Sequence, residues 1–216
     1  MAMTYRMTDP QMRMAMPRTG RPRTFDRDAA INAAMTLFWA QGYEPTSLAQ
    51  LRDSMGGLSS ASFYAAFTSK EALFRDVVDR YIGSYGQVTA SLKDDTLVPR
   101  EAIETALRKS AVMQTTKSHP LGCLIMLGAS NCSPENQQVE ALLAQERRRN
   151  REGIERHVER AKANGELSPN VDTTAMARMF SIFLSGMSFE ARDGVPLSQI
   201  DAAITSLMGL WDQAAV

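Results

Sequence analysis

A chain of 216 residues with 44% apolar residues suits one or two small folded domains, and no apolar run approaches the roughly 20 residues that would span a membrane. A formal net charge of zero argues against a nucleic-acid partner, but the average hides a local excess. Arg6, Arg13, Arg18, Arg21, Arg23 and Arg27 face only Asp9 and Asp26 in that stretch, and the rest of the chain is slightly acidic. The first residues lack the apolar core of a secretory signal, so a cytoplasmic location and no membrane partner are expected. Cys123 and Cys132 do not amount to a disulfide framework.

Residues 1–22 are rich in Met, Arg, Thr and Pro without periodicity and read as a disordered basic arm. Proline biases the residue before it away from helix, so Gly20-Arg21-Pro22-Arg23 is extended. Arg21 and Arg23 then suit either a minor groove or a solvated tail. Asp26 starts a helix with Ile31, Ala34, Met35, Phe38 and Trp39 at helical spacing, ended by Gly42. Ser47 and Gln50 have the spacing of a capping box, opening a helix that stops near Met55 at Gly56-Gly57. Ser59 or Ser60 caps the next helix, which sets Phe63 and Phe67 on one face. Thr68 and Glu71 form a second box, predicting a helix over 69–91 with Leu73, Phe74, Val77, Val78, Tyr81 and Ile82 inward.

After the turn at Lys93-Asp94-Asp95, Pro99 fits the first turn of a helix with Ile103, Ala106, Leu107 and Ser110-Ala111 as its buried stripe. His119-Pro120 interrupts the chain, and 121–131 reads as a short buried helix. A long helix follows from Ser133-Pro134 to about Ala163, with the charge run 146–152 read as a solvated face. The last two helices, from Asp172 and from Pro196, carry the apolar set Phe180, Phe183, Leu184, Met187, Ile204, Leu207 and Trp211. Such helices pack internally or pair with a second copy as a four-helix interface.

A supporting helix, a glycine turn and a second helix of small polar residues make helix–turn–helix grammar. From Arg21 to Tyr81 the chain also resembles the DNA-binding domain of TetR-type transcriptional regulators. The likeness rests on Phe38, Gly42-Tyr43, Thr46-Ser47, Gly56, Phe63-Tyr64, Phe67, Ser69-Lys70-Glu71 and Leu73-Phe74. One residue more than usual separates the turn glycine from Tyr64. The resemblance implies an all-α fold of about nine helices. A three-helix reading domain (23–68) would be followed by a helical ligand-binding and dimerisation domain (69–216), with a homodimer through the last two helices. It implies base-facing Ser60, Ala61 and Ser62, phosphate contacts from Thr46, Ser47, Tyr64 and Lys70, double-stranded operator DNA as partner, and release of a repressor by a small-molecule effector.

No catalytic constellation, glycine-rich phosphate loop or metal-ligand spacing stands out, so neither enzymatic activity nor a cofactor or metal is expected. Two alternatives rest on Cys123, which follows a proline and a glycine near a predicted helix start. It could be a low-pKa thiol sensing oxidants or electrophiles, or the nucleophile of an all-helical enzyme. The plain alternative is a small apolar filler.

Overall fold

A computed structural model describes residues 25–129 and 132–216. The basic arm with Arg21 and Arg23, and the expected helix end at Asn131, lie outside the described residues. Among those described, the chain forms nine α-helices and two 3₁₀ segments. In order these are α1 (Arg27–Gln41), α2 (Leu48–Ser54), α3 (Ser60–Phe67), α4 (Lys70–Ile82), a 3₁₀ segment (Tyr85–Lys93) and α5 (Pro99–Thr115). Then follow α6 (Leu124–Leu127), a second 3₁₀ segment (Pro134–Asn136), α7 (Gln137–Ala163), α8 (Thr173–Arg192) and α9 (Leu197–Ala214).

Most starts follow the expected chemistry. The Asp26 carboxylate accepts from Ala29 N, and Asp172 accepts from Ala175 N. Ser47 and Gln50 form the complete capping box. Ser59, rather than Ser60, caps α3 by accepting from Ser62 N.

Three expectations are corrected. Thr68 and Glu71 do not form a box, because Ser69 is the cap of α4 and accepts from Ala72 N. Thr68 instead sits at φ 63°, ψ −48°, with Ser69 N donating to Phe67 O at 2.6 Å. That is a three-residue turn of the rare, strained hand. The helix expected over 69–91 breaks at Gly83. There Ser84 Oγ bonds Arg80 O (2.7 Å) and the Gln87 amide bonds Ile82 O (2.8 Å), so side chains take the carbonyls that a continuing helix would use. The helix expected over 121–131 shrinks to one turn, because Gly122 at φ 81° and an extended Cys123 hold the chain out of helix until Leu124.

The apolar side chains divide into two cores. The first joins α1–α4 to α6 and the start of α7 around Phe38, Trp39, Phe63, Phe74, Tyr81 and Leu124. It takes in the buried face of α4 and so runs past residue 68 without a break. The second lies among α5, the later part of α7, α8 and α9 around Leu107, Ile154, Phe180, Ile204 and Trp211. Here most of the expected dimer residues lie inward. Phe180, Leu184, Met187, Ile204, Leu207 and Trp211 are buried within their own chain, while Phe183 touches the same core but is only partly buried. The outward stripe of α8 is Ile182, Gly186 and Phe189, and α9 adds Leu210.

Candidate nucleic-acid interface and effector cavity

The reading head is fixed by its inward residues. Phe63 and Phe67 anchor α3 in the first core, leaving Ser60, Ala61, Ser62 and Tyr64 outside; Tyr64 is 51% exposed. The Ser62 hydroxyl is already engaged, since Ser59 Oγ lies 2.9 Å from it. The longer turn is closed by a device that sequence reading missed. Gly56 (φ 82°) and Gly57 (φ 77°) carry the positive φ values. Arg52 clamps them: its carbonyl accepts from Gly57 N and Leu58 N, and its Nε donates to Leu58 O at 2.7 Å. An arginine four residues before paired glycines was the available signal.

Two further expected contacts divide. Ser47 is exposed at the start of α2. Thr46 is buried, and its hydroxyl donates to Gly42 O at 2.6 Å, so it braces the loop ahead of α2 and does not face outward as a phosphate ligand would. Lys70 opens α4 half-buried, with Nζ 4.2 Å over the Tyr43 ring and 3.5 Å from Glu44 O. Burial lowers its pKa, and burial followed by the nearby Glu71 and Glu44 carboxylates pushes Tyr43 up to about 12. Lys70 is thus held against the loop that delivers Ser47. Arg27, counted with the basic arm, belongs to α1 and pairs with Asp76 of α4 at 2.6 Å.

Between α4, the first 3₁₀ segment, α5, α6, α7 and α8 lies a cavity of about 40 Å³. Tyr81, Met113, Cys123, Ile125, Met126 and Leu184 contribute to its wall. The charge run of α7 is not wholly solvated, which corrects the expectation. Glu146 is buried at this cavity beside Arg149, and Arg147 turns in to donate to Ile125 O at 2.8 Å. Cys123 is buried, with Tyr81 Oη 3.3 Å from its Sγ. Burial pushes the thiol up, outweighing the bond from Tyr81 and the backbone amides of Met126 and Ile125. The physical basis for a low-pKa sensor thiol is therefore reversed: the helix behind it is one turn long, and desolvation dominates.

Neither histidine bonds Cys123. His119 stacks on Trp39 at 4.5 Å, and buried His157 bonds Ser91 O and Arg160. Among the described residues, no cluster of three or more His, Cys, Asp or Glu could hold a metal ion, and no helix is long and apolar enough to cross a membrane.

The strip 121–128 joins cavity and head. Trp39 Nε1 donates to Gly122 O (3.2 Å) and Tyr43 N to Gly128 O (2.6 Å), while Arg192 of α8 donates to Ala40 O (2.5 Å). The segment that supplies Cys123, Ile125 and Met126 to the cavity wall is thus bonded at Gly122 and Gly128 to the C-terminal end of α1 and to Tyr43 just beyond it.

A helix–turn–helix head with an exposed second helix, set on a helical body with an internal cavity, defines a DNA-binding regulator. Comparison with known proteins makes the class specific. The family description "bacterial regulatory proteins, tetR family" matches residues 30–77, and "tetracyclin repressor-like, C-terminal domain" matches 100–206. The HTH-type transcriptional repressor ComR of Escherichia coli is 33% identical over 198 residues, covering 90% of this chain and 92% of that protein. The HTH-type transcriptional repressor BdcR of the same organism is 29% identical over 185 residues, covering 85% and 87%. A solved structure of a cysteine-substituted CifR, a TetR family regulator complexed with 26-bp operator DNA, is similar at TM-score 0.80 and 35% identity, covering 88% of this chain and all of that one. The chain belongs to the TetR family of bacterial regulatory proteins, and it is a transcriptional regulator, not an enzyme.

Proposed function

We propose that this protein is a homodimeric repressor that holds a near-palindromic operator and leaves it when a small molecule occupies the internal cavity. The observation that carries the DNA half is the outer face of α3: Ser60, Ala61, Ser62 and Tyr64 are exposed on a helix whose other face is locked in the core. The names of the similar proteins, two repressors and an operator complex, support the same reading. In this reading Ser60, Ala61 and Ser62 face base edges, with alanine suited to a thymine methyl. Ser47, Tyr64 and Lys70, with Arg21 and Arg23 of the arm, contact the backbone. The expected domain division, a reading head followed by a regulatory and dimerisation body, belongs to the same proposal.

Release works by population shift. An effector that binds better to a conformer with an enlarged cavity moves the strip 121–128, and with it the C-terminal end of α1 in each head. The cytoplasm, where the operator lies, is the working location. Nuclease footprinting on DNA flanking the protein's own gene tests the reading. Two protected half-sites about 34–36 Å apart centre to centre, one helical turn or a multiple of it, are expected. Uniform binding at low salt with no protected sequence there or in selected random DNA would overturn it.

A further inference from the structure

The cavity has two polar groups that the fold leaves unpaired. Ser110 and Gln114 stand one turn apart on α5, both are almost fully buried, and both line the cavity. Among the described residues neither Ser110 Oγ nor Gln114 Oε1 has a hydrogen-bond partner. A buried acceptor left unsatisfied is costly. About half of the remaining wall is apolar, with Ile82, Val88, Met113, Ile125, Met126 and Leu184, and Tyr81, Thr89, Cys123 and Asn150 add uncharged polar groups. Its charged members, Lys93 at the exposed rim and Glu146 paired with Arg149, are of opposite sign and present no net attraction for an ion.

We propose that this cavity takes a small neutral molecule with a short aliphatic body and a hydrogen-bond donor, of the class of short-chain alcohols, its hydroxyl set between Gln114 Oε1 and Ser110 Oγ. This rests on reading the cavity as the effector site and names the chemistry of the effector. Size follows from volume. A water-sized group needs roughly 10–15 Å³ of such space, so about three to four heavy groups fit the cavity of about 40 Å³. Met113 and Met126 are the adaptable part of the wall, since an unbranched thioether repacks at little cost. Either sign of charge is disfavoured. A carboxylate would meet the Glu146 carboxylate, which also lines the cavity, and an ammonium would lose its hydration with only Glu146, already paired with Arg149, to meet it.

The test uses the full chain with methyl-labelled methionine, observed by NMR, and 1-propanol as the probe. Met113 and Met126 methyl signals, assigned through single Met→Leu variants, should shift saturably with 1-propanol. Sodium propionate and propylammonium chloride at equal concentration should leave them in place. Gln114→Leu should weaken 1-propanol binding about tenfold, the worth of one good hydrogen bond. Its melting temperature should equal or exceed that of the wild type, because an unpaired buried carbonyl has gone. If Gln114→Leu does not fold, Ser110→Ala takes the same measurement with the same expected loss.

The proposal is overturned if the methionine signals show no saturable shift, if propionate shifts them equally, or if the variant binds 1-propanol as well as wild type. It is also overturned if Gln114→Leu folds with a clearly lower melting temperature, which would mean that ordered water satisfies these groups. Operator affinity is measured separately. Gln114-dependent binding of 1-propanol with unchanged operator affinity would leave the ligand site standing and remove its role in release.

Discussion

Single residues set the limits of the reading head. Thr68 is a β-branched residue at positive φ, exposed, and wedged between α3 and α4 by the Ser69–Phe67 turn. A non-glycine residue held in such a sparsely populated conformation costs of order 1–3 kcal/mol, and glycine returns part of that through its greater freedom when unfolded. Thr68→Gly should therefore stabilise the fold by about 0.5–1 kcal/mol in denaturant titration. Thr68→Ala, which keeps the Cβ, should not; equal effects would show that the backbone there is unstrained. For DNA, Tyr64→Ala and Lys70→Ala should weaken binding to operator and unrelated duplex alike, each lowering the slope of log K against log salt by about 0.9. An unchanged slope for Lys70→Ala would mean that its ammonium stays over Tyr43 and never reaches a phosphate. Cys123 carries the pH prediction. Burial raises its folded pKa above the roughly 8.5 of an unfolded thiol. Below about pH 8.5 both states keep the proton and stability is flat with respect to this group. Above it the unfolded chain releases the proton first and binds fewer, so stability falls as pH rises toward the folded pKa. Cys123→Ala should flatten the part of that fall due to Cys123, and in the native protein at pH 7.5 iodoacetamide should label half-exposed Cys132 well before Cys123. Peptide mapping by mass spectrometry reads the order, and early modification of Cys123 would restore the sensor idea.

At the scale of elements, helices were legible wherever a side-chain cap and an apolar period coincided. Ser47 with Gln50, Asp26 and Asp172 each announced a start that the structure keeps. Legibility failed where the deciding partner was remote or where two local signals competed. Thr68 and Ser69 both have the chemistry of a cap, and only the tight turn after Phe67 selects Ser69. The break at Gly83 depends on Ser84 and Gln87 reaching back to carbonyls of α4, which periodicity does not encode. The same limit applied to the site. The small polar face of α3 and the inward place of Ser110 could be read from spacing, but the inward turn of Glu146 and Arg147, the burial of Thr46 and the burial of Gln114 beside Ser110 required the packing of the helices. The strip 121–128 is an element of this second kind, held by a close approach that has room only for glycine. Gly122 has φ 81°, and a Cβ there would lie 2.7 Å from Leu127 Cδ1 and 2.8 Å from Ser188 O. The second of these is backbone and cannot swing aside. Gly122→Ala should cost more than about 1 kcal/mol, beyond the loss expected from φ alone, and should loosen the Trp39 Nε1–Gly122 O bond. Weaker operator binding and a changed Trp39 indole NH signal are expected together. Normal operator affinity with a displaced indole signal would show that the strip does not transmit to the head.

At the scale of the whole molecule, the question is what covers the outer face of α8 and α9. The two helices bury most of their larger apolar residues against α5 and α7, so the second core is complete within one chain. What remains outside is specific. Ile182 is 64% exposed and Phe189 57%, two helical turns apart on α8 with Gly186 between them, and Leu210 of α9 is 44% exposed. A Cβ built at Gly186 or Gly209 would meet nothing within 4 Å, so both backbones are open to close approach. Beside them runs a groove of about 500 Å³ lined by Phe183, Met187, Val195 and Ile200, among others. An exposed apolar stripe with open glycines suits a two-fold dimer, in which the stripe of one protomer meets that of its partner. A stable interface of this type buries roughly 800 Å² per partner, which both helices must supply together. Ile182→Glu with Phe189→Glu should then yield folded monomers, since both side chains are surface residues of the single chain. Operator affinity should fall at least as far as that of one head alone, because two half-sites are no longer engaged together. Phe180→Ala should behave differently: it opens the second core, costs about 3–5 kcal/mol, and lowers the melting temperature instead of simply separating protomers. Sedimentation velocity with circular dichroism distinguishes the two outcomes. A double variant that stays dimeric and keeps operator affinity would place the interface on another face, and a wild-type protein that sediments as a monomer while holding its operator would remove the dimer altogether.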